Sequence, residues 1–224
     1  MTSACGRRLV DGCGGSGMYV KICGLTTRDA VVAASDAGAD AIGLVLSERS
    51  RRNLSPAVAG TLAAAAPQGV DVVLVTDDRA TDDVAAVALE IGATAVQLHG
   101  ARYGRANLLR LRELGVPQAW RATAWSSGAS LHAGDDGEDV LVVDSPTPGS
   151  GTAWDATDAA RSIRGRWLLA GGLSPDTVAQ AIDLAQPWGV DVSSGVEVEP
   201  GVKGTHLVER FVAEARRAGA AARS

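Results

Sequence analysis

From Tyr19 to the C-terminus the chain alternates short apolar runs with stretches of helical period. The runs at 19–22, 41–46, 71–75, 93–98, 118–124, 140–143, 167–170 and 189–192 are nearly continuous in Val, Ile, Leu and Ala. Continuity, rather than strict alternation, predicts strands covered on both faces. Between and after them lie amphipathic stretches that predict helices over about 27–37, 57–65, 81–91 and 105–114, one ending near 163, and two more over 174–185 and 205–218. Thr26 or Thr27 suits a helix cap and Pro56 a first helical turn. The unit after the fifth run is the weakest, with a short helix expected near 129–132. Eight strand–helix units in just over 200 residues predict a single (β/α)8 barrel of the α/β class. An open doubly wound sheet is the competing architecture, but it would more often carry a Gly-x-Gly-x-x-Gly turn after its first strand, and Cys23-Gly24-Leu25 is no such turn.

The barrel reading gives the polar residues a common address, because chemistry in that fold collects at the C-terminal ends of the strands. Cys23, Arg52, Gln97, His99, Asp144, Gly171-Gly172 and Ser193-Ser194-Gly195 all lie at or just beyond those ends. The last two sets bring glycine-rich backbone to neighbouring strands, where exposed N–H groups can cradle a phosphate. Cys23 and Asp144, on strands one and six, can face each other across the mouth as a base and an acid. By itself Cys23 reads equally as a buried structural thiol. Asp144, directly after four aliphatic residues, is harder to explain without a partner or a role. Lys21 shares the face of Cys23 by the strand period of two, and its charge would lower the thiol pKa if it reached the mouth. Trp125 and Trp154 fall in loops that could reach a ring-bearing substrate, whereas Trp120, Trp167 and Trp188 read as packing residues.

Composition narrows the field. Net charge is -5, with 26 acidic against 21 basic residues, so neither nucleic acid nor an anionic membrane is expected as a partner. No apolar run approaches the roughly 18 residues of a spanning helix, and the first 17 residues lack a signal-peptide core. A cytoplasmic protein is expected, with residues 1–17 a flexible extension, 18–224 the catalytic barrel, and Met18 an alternative translation start. Cys5, Cys13 and Cys23 form neither a disulfide framework nor a metal pattern, and three dispersed histidines give no ligand set, so no metal and no cofactor is expected.

Several motifs in combination resemble the phosphoribosylanthranilate isomerase family of tryptophan biosynthesis. They are Lys21-Ile22-Cys23-Gly24, Gly43-Leu44-Val45-Leu46 with Ser50-Arg51-Arg52, Val96-Gln97-Leu98-His99-Gly100, and Val143-Asp144 with Gly149-Ser150-Gly151-Thr152. Ala170-Gly171-Gly172-Leu173 and the closing run from Val190 to Lys203 complete the set, and the resemblance extends from Met18 to about Ala218. It implies an Amadori rearrangement of N-(5-phosphoribosyl)anthranilate, with Cys23 as general base at the sugar C2 and Asp144 as general acid at the ring oxygen. It further implies that Arg52 receives the anthranilate carboxylate and that Gly172 and Ser194-Gly195 hold the phosphate. Lys21, Gln97, His99, Gly151, Gly171 and Ser193 are expected beside them as substrate-binding residues. Asp77, Ala101, Trp154 and Gly204 depart from the family pattern and leave open a related phosphoribosyl amine of a specialised pathway. A non-catalytic phosphoribosyl-binding barrel is a further alternative, and monomer and homodimer are both compatible with the sequence.

Overall fold

The computed structural model describes residues 17–127, 130–146 and 156–222. Eight parallel strands close into a barrel in chain order: β1 (Tyr19–Cys23), β2 (Ala41–Val45), β3 (Asp71–Thr76), β4 (Ala95–His99), β5 (Ala119–Ala124), β6 (Val140–Asp144), β7 (Trp167–Leu169) and β8 (Gly189–Val192). Closure is made by β1 against β8, with Tyr19 level with Gly189 and Lys21 with Asp191. Outside lie α1 (Arg28–Asp36), α2 (Pro56–Ala63), α3 (Thr81–Ile91), α4 (Arg105–Glu113), α5 (Thr157–Ser162), α6 (Val178–Ala185) and α7 (Thr205–Ala221). The caps follow the sequence: Thr27 Oγ1 accepts the Ala30 N–H, and Ser55 Oγ accepts that of Val58 just ahead of Pro56. The helix expected from 174 begins only at Val178, after a turn in which Thr177 Oγ1 accepts the Ser174 N–H.

Apolar residues divide into two cores. Outward-facing strand residues such as Ile22, Leu44, Leu74 and Leu98 pack under the helices. Inward-facing ones, including Val73, Ala95, Trp120, Val142 and Leu168, fill the barrel. Tyr19 closes its floor, stacked on Trp188 at 4.4 Å between ring centroids and edge-on to Trp120 at 6.2 Å. Trp120 and Trp188 are therefore packing residues, and so is Trp167, buried in the outer core. Trp125, expected as a candidate for ring contact, is also buried in the outer core and does not line the mouth. Trp154 lies outside the described residues.

The fifth unit departs from expectation. Leu131–His132 is not helical but a short strand, paired in parallel with Ile163–Arg164. Among the described residues no helix follows β5. The outer face of the strand carries Ala119 in the outer core but also the polar residues Arg121 and Thr123. A guanidinium there needs a polar partner, which an apolar helix face does not offer. The loop at 130–139 supplies Glu138 instead, whose Oε1 accepts from Arg121 Nε and Nη2 at 3.2 and 3.1 Å, while its Oε2 accepts the Asp136 N–H.

Glu138 is fully covered, so its charge depends on this pair. Arg121→Met should lower the unfolding free energy by roughly 3–5 kcal/mol in urea denaturation, because it strands a buried carboxylate. The double variant Arg121→Met/Glu138→Leu should recover most of that loss.

Candidate active site

The C-terminal ends of the strands surround a cavity of about 380 Å³, within the range of small-molecule sites. Cys23 enters it from the end of β1 and Asp144 from the end of β6, on different parts of the wall. Gln97 and His99 line it from β4, one strand pitch apart on the inward face. Arg52 reaches it from the loop after β2, while Gly171 and Gly172 lie after β7, and Ser193, Ser194 and Gly195 after β8. Gly151 lies outside the described residues, as do Cys5 and Cys13.

Lys21 does not line the cavity. Its side chain is fully buried beneath the mouth, and Nζ donates to both Asp191 carboxylate oxygens at 3.0 Å. The period of two put it on the correct face, but one step down the strand is roughly 7 Å deeper along the barrel axis. Burial lowers its pKa, yet Asp191 and the Cys23 thiol more than compensate and hold it above the ordinary value. Lys21 acts on Cys23 in the expected direction, but it does not set the net shift. Burial pushes the thiol up, Lys21 and Lys203 pull it down, and burial together with Asp191 prevails.

Asp144 is poised in the same direction. Burial raises its pKa, outweighing the N–H of Ser145, which donates to Oδ1 at 2.7 Å, and the nearby His99. Gln97 is almost fully buried, and its Oε1 finds no partner among the described residues. An orphaned acceptor on the cavity wall suits a ligand hydroxyl or N–H. His132 and His206 are exposed and remote from the cavity. Among the described residues no group of three His, Cys, Asp or Glu is arranged to hold a metal ion.

Two close approaches explain glycines in the motifs. A Cβ on Gly43 would stand 2.6 Å from Cys23 Sγ, so the second-strand glycine is the space in which the thiol sits. A Cβ on Gly195 would stand 1.7 Å from the Leu173 carbonyl oxygen, so the loops after β7 and β8 touch backbone to backbone. Gly171 and Gly172 both take positive φ, 84° and 67°, which turns the first of these loops into the mouth. The N–H groups of Gly172 and Gly195 reach no acceptor among the described residues. Two short glycine segments thus present backbone donors to one corner of the cavity, as a phosphate requires.

Sequence reasoning missed Asp191, Ser47, Thr76 and the supporting role of Glu197. Asp191 was findable, since it lies two residues before Ser193 on the inward face. Ser47 bonds Asp77, and Asp78 Oδ2 accepts the Glu48 N–H at 2.8 Å, so Asp77, which departs from the family pattern, and its neighbour Asp78 brace the loop after β2. Asp77 itself lines the cavity.

A closed parallel barrel ringed by helices, with a thiol, a carboxyl and two glycine segments lining one cavity at its strand ends, defines the class: a (β/α)8 barrel with its site at the C-terminal face. The particular family follows from comparison. The model of the N-(5'-phosphoribosyl)anthranilate (PRA) isomerase family matches residues 20–214, and the chain belongs to that family. A relative named N-(5'-phosphoribosyl)anthranilate isomerase in Geobacter sp. (strain M21) is 41% identical over 203 residues, covering 88% of this chain and 98% of the relative. The crystal structure of TrpF from Jonesia denitrificans superposes with a TM-score of 0.82 at 45% identity, covering 91% of this chain and 98% of that one. The phosphoribosyl anthranilate isomerase of Thermus thermophilus gives 0.77 at 29%, covering 88% and 98%.

Gly43→Ala should leave the fold intact but displace the thiol, lowering kcat/KM on the order of 100-fold in a steady-state assay. Glu197 is held down to about 2: burial raises it, but hydrogen bonds from Arg52, Lys203 and the Gly201 N–H overcome that. A depressed carboxylate stabilises the fold above its unfolded pKa and ceases to do so as pH falls through the folded one. Urea midpoints should therefore fall more steeply between about pH 4.5 and 2 in the parent than in Glu197→Gln.

Proposed function

We propose that Cys23 and Asp144 are the base and acid with which this chain carries out its family's reaction, and that the glycine corner holds the substrate phosphate. The reaction is the Amadori rearrangement of N-(5-phosphoribosyl)anthranilate to 1-(2-carboxyphenylamino)-1-deoxyribulose 5-phosphate, a step of tryptophan biosynthesis. The observation that carries the assignment is the placement of a thiol and a pKa-raised carboxyl on one cavity wall, with unpaired backbone donors beside them. A relative in this family has been crystallised with reduced 1-(o-carboxyphenylamino)-1-deoxyribulose 5-phosphate, a ligand bearing both a phosphate and an aromatic carboxylate.

Asp144 protonates the furanose ring oxygen. The C1–O bond then breaks with its electron pair going to that oxygen, and the anilino nitrogen supplies the electrons that form a protonated Schiff base. The Cys23 thiolate removes the proton from C2, and the C2–H electrons flow into the C1–C2 bond to neutralise the iminium. The resulting enolamine loses its C2 hydroxyl proton and gains one at C1, leaving the ketone. Proton transfers alone balance the sequence. Arg52 is assigned to the anthranilate carboxylate, because a guanidinium edge matches it in shape and charge. Gln97 Oε1 is assigned to a substrate hydroxyl. A phosphorylated small molecule and a cytoplasmic setting accompany this reading, and no helix among the described residues is long and apolar enough to cross a membrane.

The two raised pKa values fix the shape of the pH profile. The reactive form has Asp144 protonated and Cys23 ionised, although the carboxyl is the stronger acid. Between the two pKa values that form is a constant small fraction, so kcat/KM is flat there. It falls in acid as Asp144 becomes protonated ahead of the thiol losing its proton, and in alkali as the thiol is fully ionised while the acid is exhausted. The acid limb therefore reports Asp144 and the alkaline limb Cys23.

Purified protein given freshly generated phosphoribosylanthranilate should consume it, followed by loss of substrate fluorescence, and Cys23→Ser and Asp144→Asn should each lower kcat by at least about 100-fold. No turnover by the parent would overturn the activity; full turnover by both variants would overturn the pair. In a Cys5→Ser/Cys13→Ser background, alkylation of Cys23 by iodoacetamide should accelerate only above the ordinary thiol range. Rapid alkylation at neutral pH would contradict a raised thiol.

A further inference from the structure

Arg52 does not hang free in the cavity. Its side chain crosses over Gly24, where an added Cβ would stand 2.2 Å from Arg52 Cδ, and its guanidinium ends against Glu197. Nε donates to Glu197 Oε1 at 2.6 Å and Nη2 to Oε2 at 2.9 Å. The same carboxylate accepts from Lys203 Nζ at 2.9 Å and from the Gly201 N–H at 3.1 Å. Glu197 and Lys203 belong to a small antiparallel ribbon, Glu197–Glu199 with Val202–Lys203, that follows the phosphate corner. Lys203 Nζ also donates to the Ser193 carbonyl at 2.9 Å, and Ser193 Oγ to the Cys23 carbonyl at 3.1 Å.

A guanidinium has two edges that can each receive a carboxylate in parallel bonds. Glu197 takes the edge formed by Nε and Nη2. The end-on edge, Nη1 with the second Nη2 hydrogen, is not engaged by Glu197, and Arg52 lines the cavity. Charge runs the same way. Arg52, Lys203 and Glu197 sum to one positive charge, which a ligand carboxylate would neutralise. The carboxylate of Glu197 is buried and fully bonded, so it is a fixed support rather than a mobile competitor.

We propose that Glu197, braced by Lys203 and the Gly201 N–H, is a positioning residue that fixes the free edge of Arg52 and so makes the site selective for ligands with an aromatic carboxylate. The inference rests on the assignment of Arg52 to that carboxylate. It makes the ribbon after β8 a specificity element that ties carboxylate recognition, the phosphate corner and the backbone of the catalytic cysteine into one bonded set.

The test is a ratio of affinities measured by calorimetry for two non-reacting ligands. These are 1-(2-carboxyphenylamino)-1-deoxyribitol 5-phosphate and the same compound without the carboxylate. Arg52→Ala should collapse the parent's preference for the first; if it does not, Arg52 is not the carboxylate residue and the underlying assignment fails. Given that collapse, Glu197→Gln should reduce the preference by about tenfold, the loss of a charge-assisted hydrogen bond. Equal weakening of both ligands would make Glu197 a general structural support, and tighter binding of the carboxylate ligand would make it a competitor for Arg52. Either result overturns the proposal. If Glu197→Gln does not fold, Lys203→Met, which removes one of the bonds to that carboxylate, reads the same ratio.

Discussion

The buried pair between Lys21 and Asp191 is the contact on which the rest of the barrel depends. These residues are level across the join between the first and last strands, so the pair sits where the sheet must close upon itself. Two opposite charges in a nonpolar interior are tolerated only together, since either one alone would be stranded without solvent. Below the pair lies a floor of aromatic rings; above it lies the thiol. A neutral but strongly dipolar layer thus lies between the packed interior and the cavity at the mouth. It also gives the sulfur a cation to face while keeping that cation out of reach of bulk water.

Above that layer the site is shaped by what is missing from side chains as much as by what is present. The absence of a Cβ at Gly43 accommodates the sulfur, at Gly24 the stem of Arg52, and at Gly195 a neighbouring carbonyl. Gly43 lies within β2, Gly24 just after β1 and Gly195 just after β8, so the close approaches come from three separate parts of the barrel.

The strand pattern was readable because buried parallel strands are nearly continuous in aliphatic residues, and the mouth residues were readable because the fold sends them to one end. Depth was not. Lys21 and Cys23 share a face in any strand, and only the barrel's height decides that one is in the interior and the other in the mouth. Trp125 follows a strand end as a site residue would, yet packs outward, because a residue just past a strand can turn either way. The fifth helix was expected from the repeat alone, although Arg121 on the outer face already argued against apolar cover. The bracing of Arg52 by Glu197 spans 145 positions and leaves no local periodicity to detect.

Among the described residues no helix lies behind β5, so the outer layer is a C rather than an O. Elsewhere a helix leans on both neighbours, so loosening one disturbs the next. Behind β5 an ion pair and a polar loop stand in for a packed ridge. Among the described residues the long α7 packs against both α6 and α1 and so joins the last helices of the chain to the first.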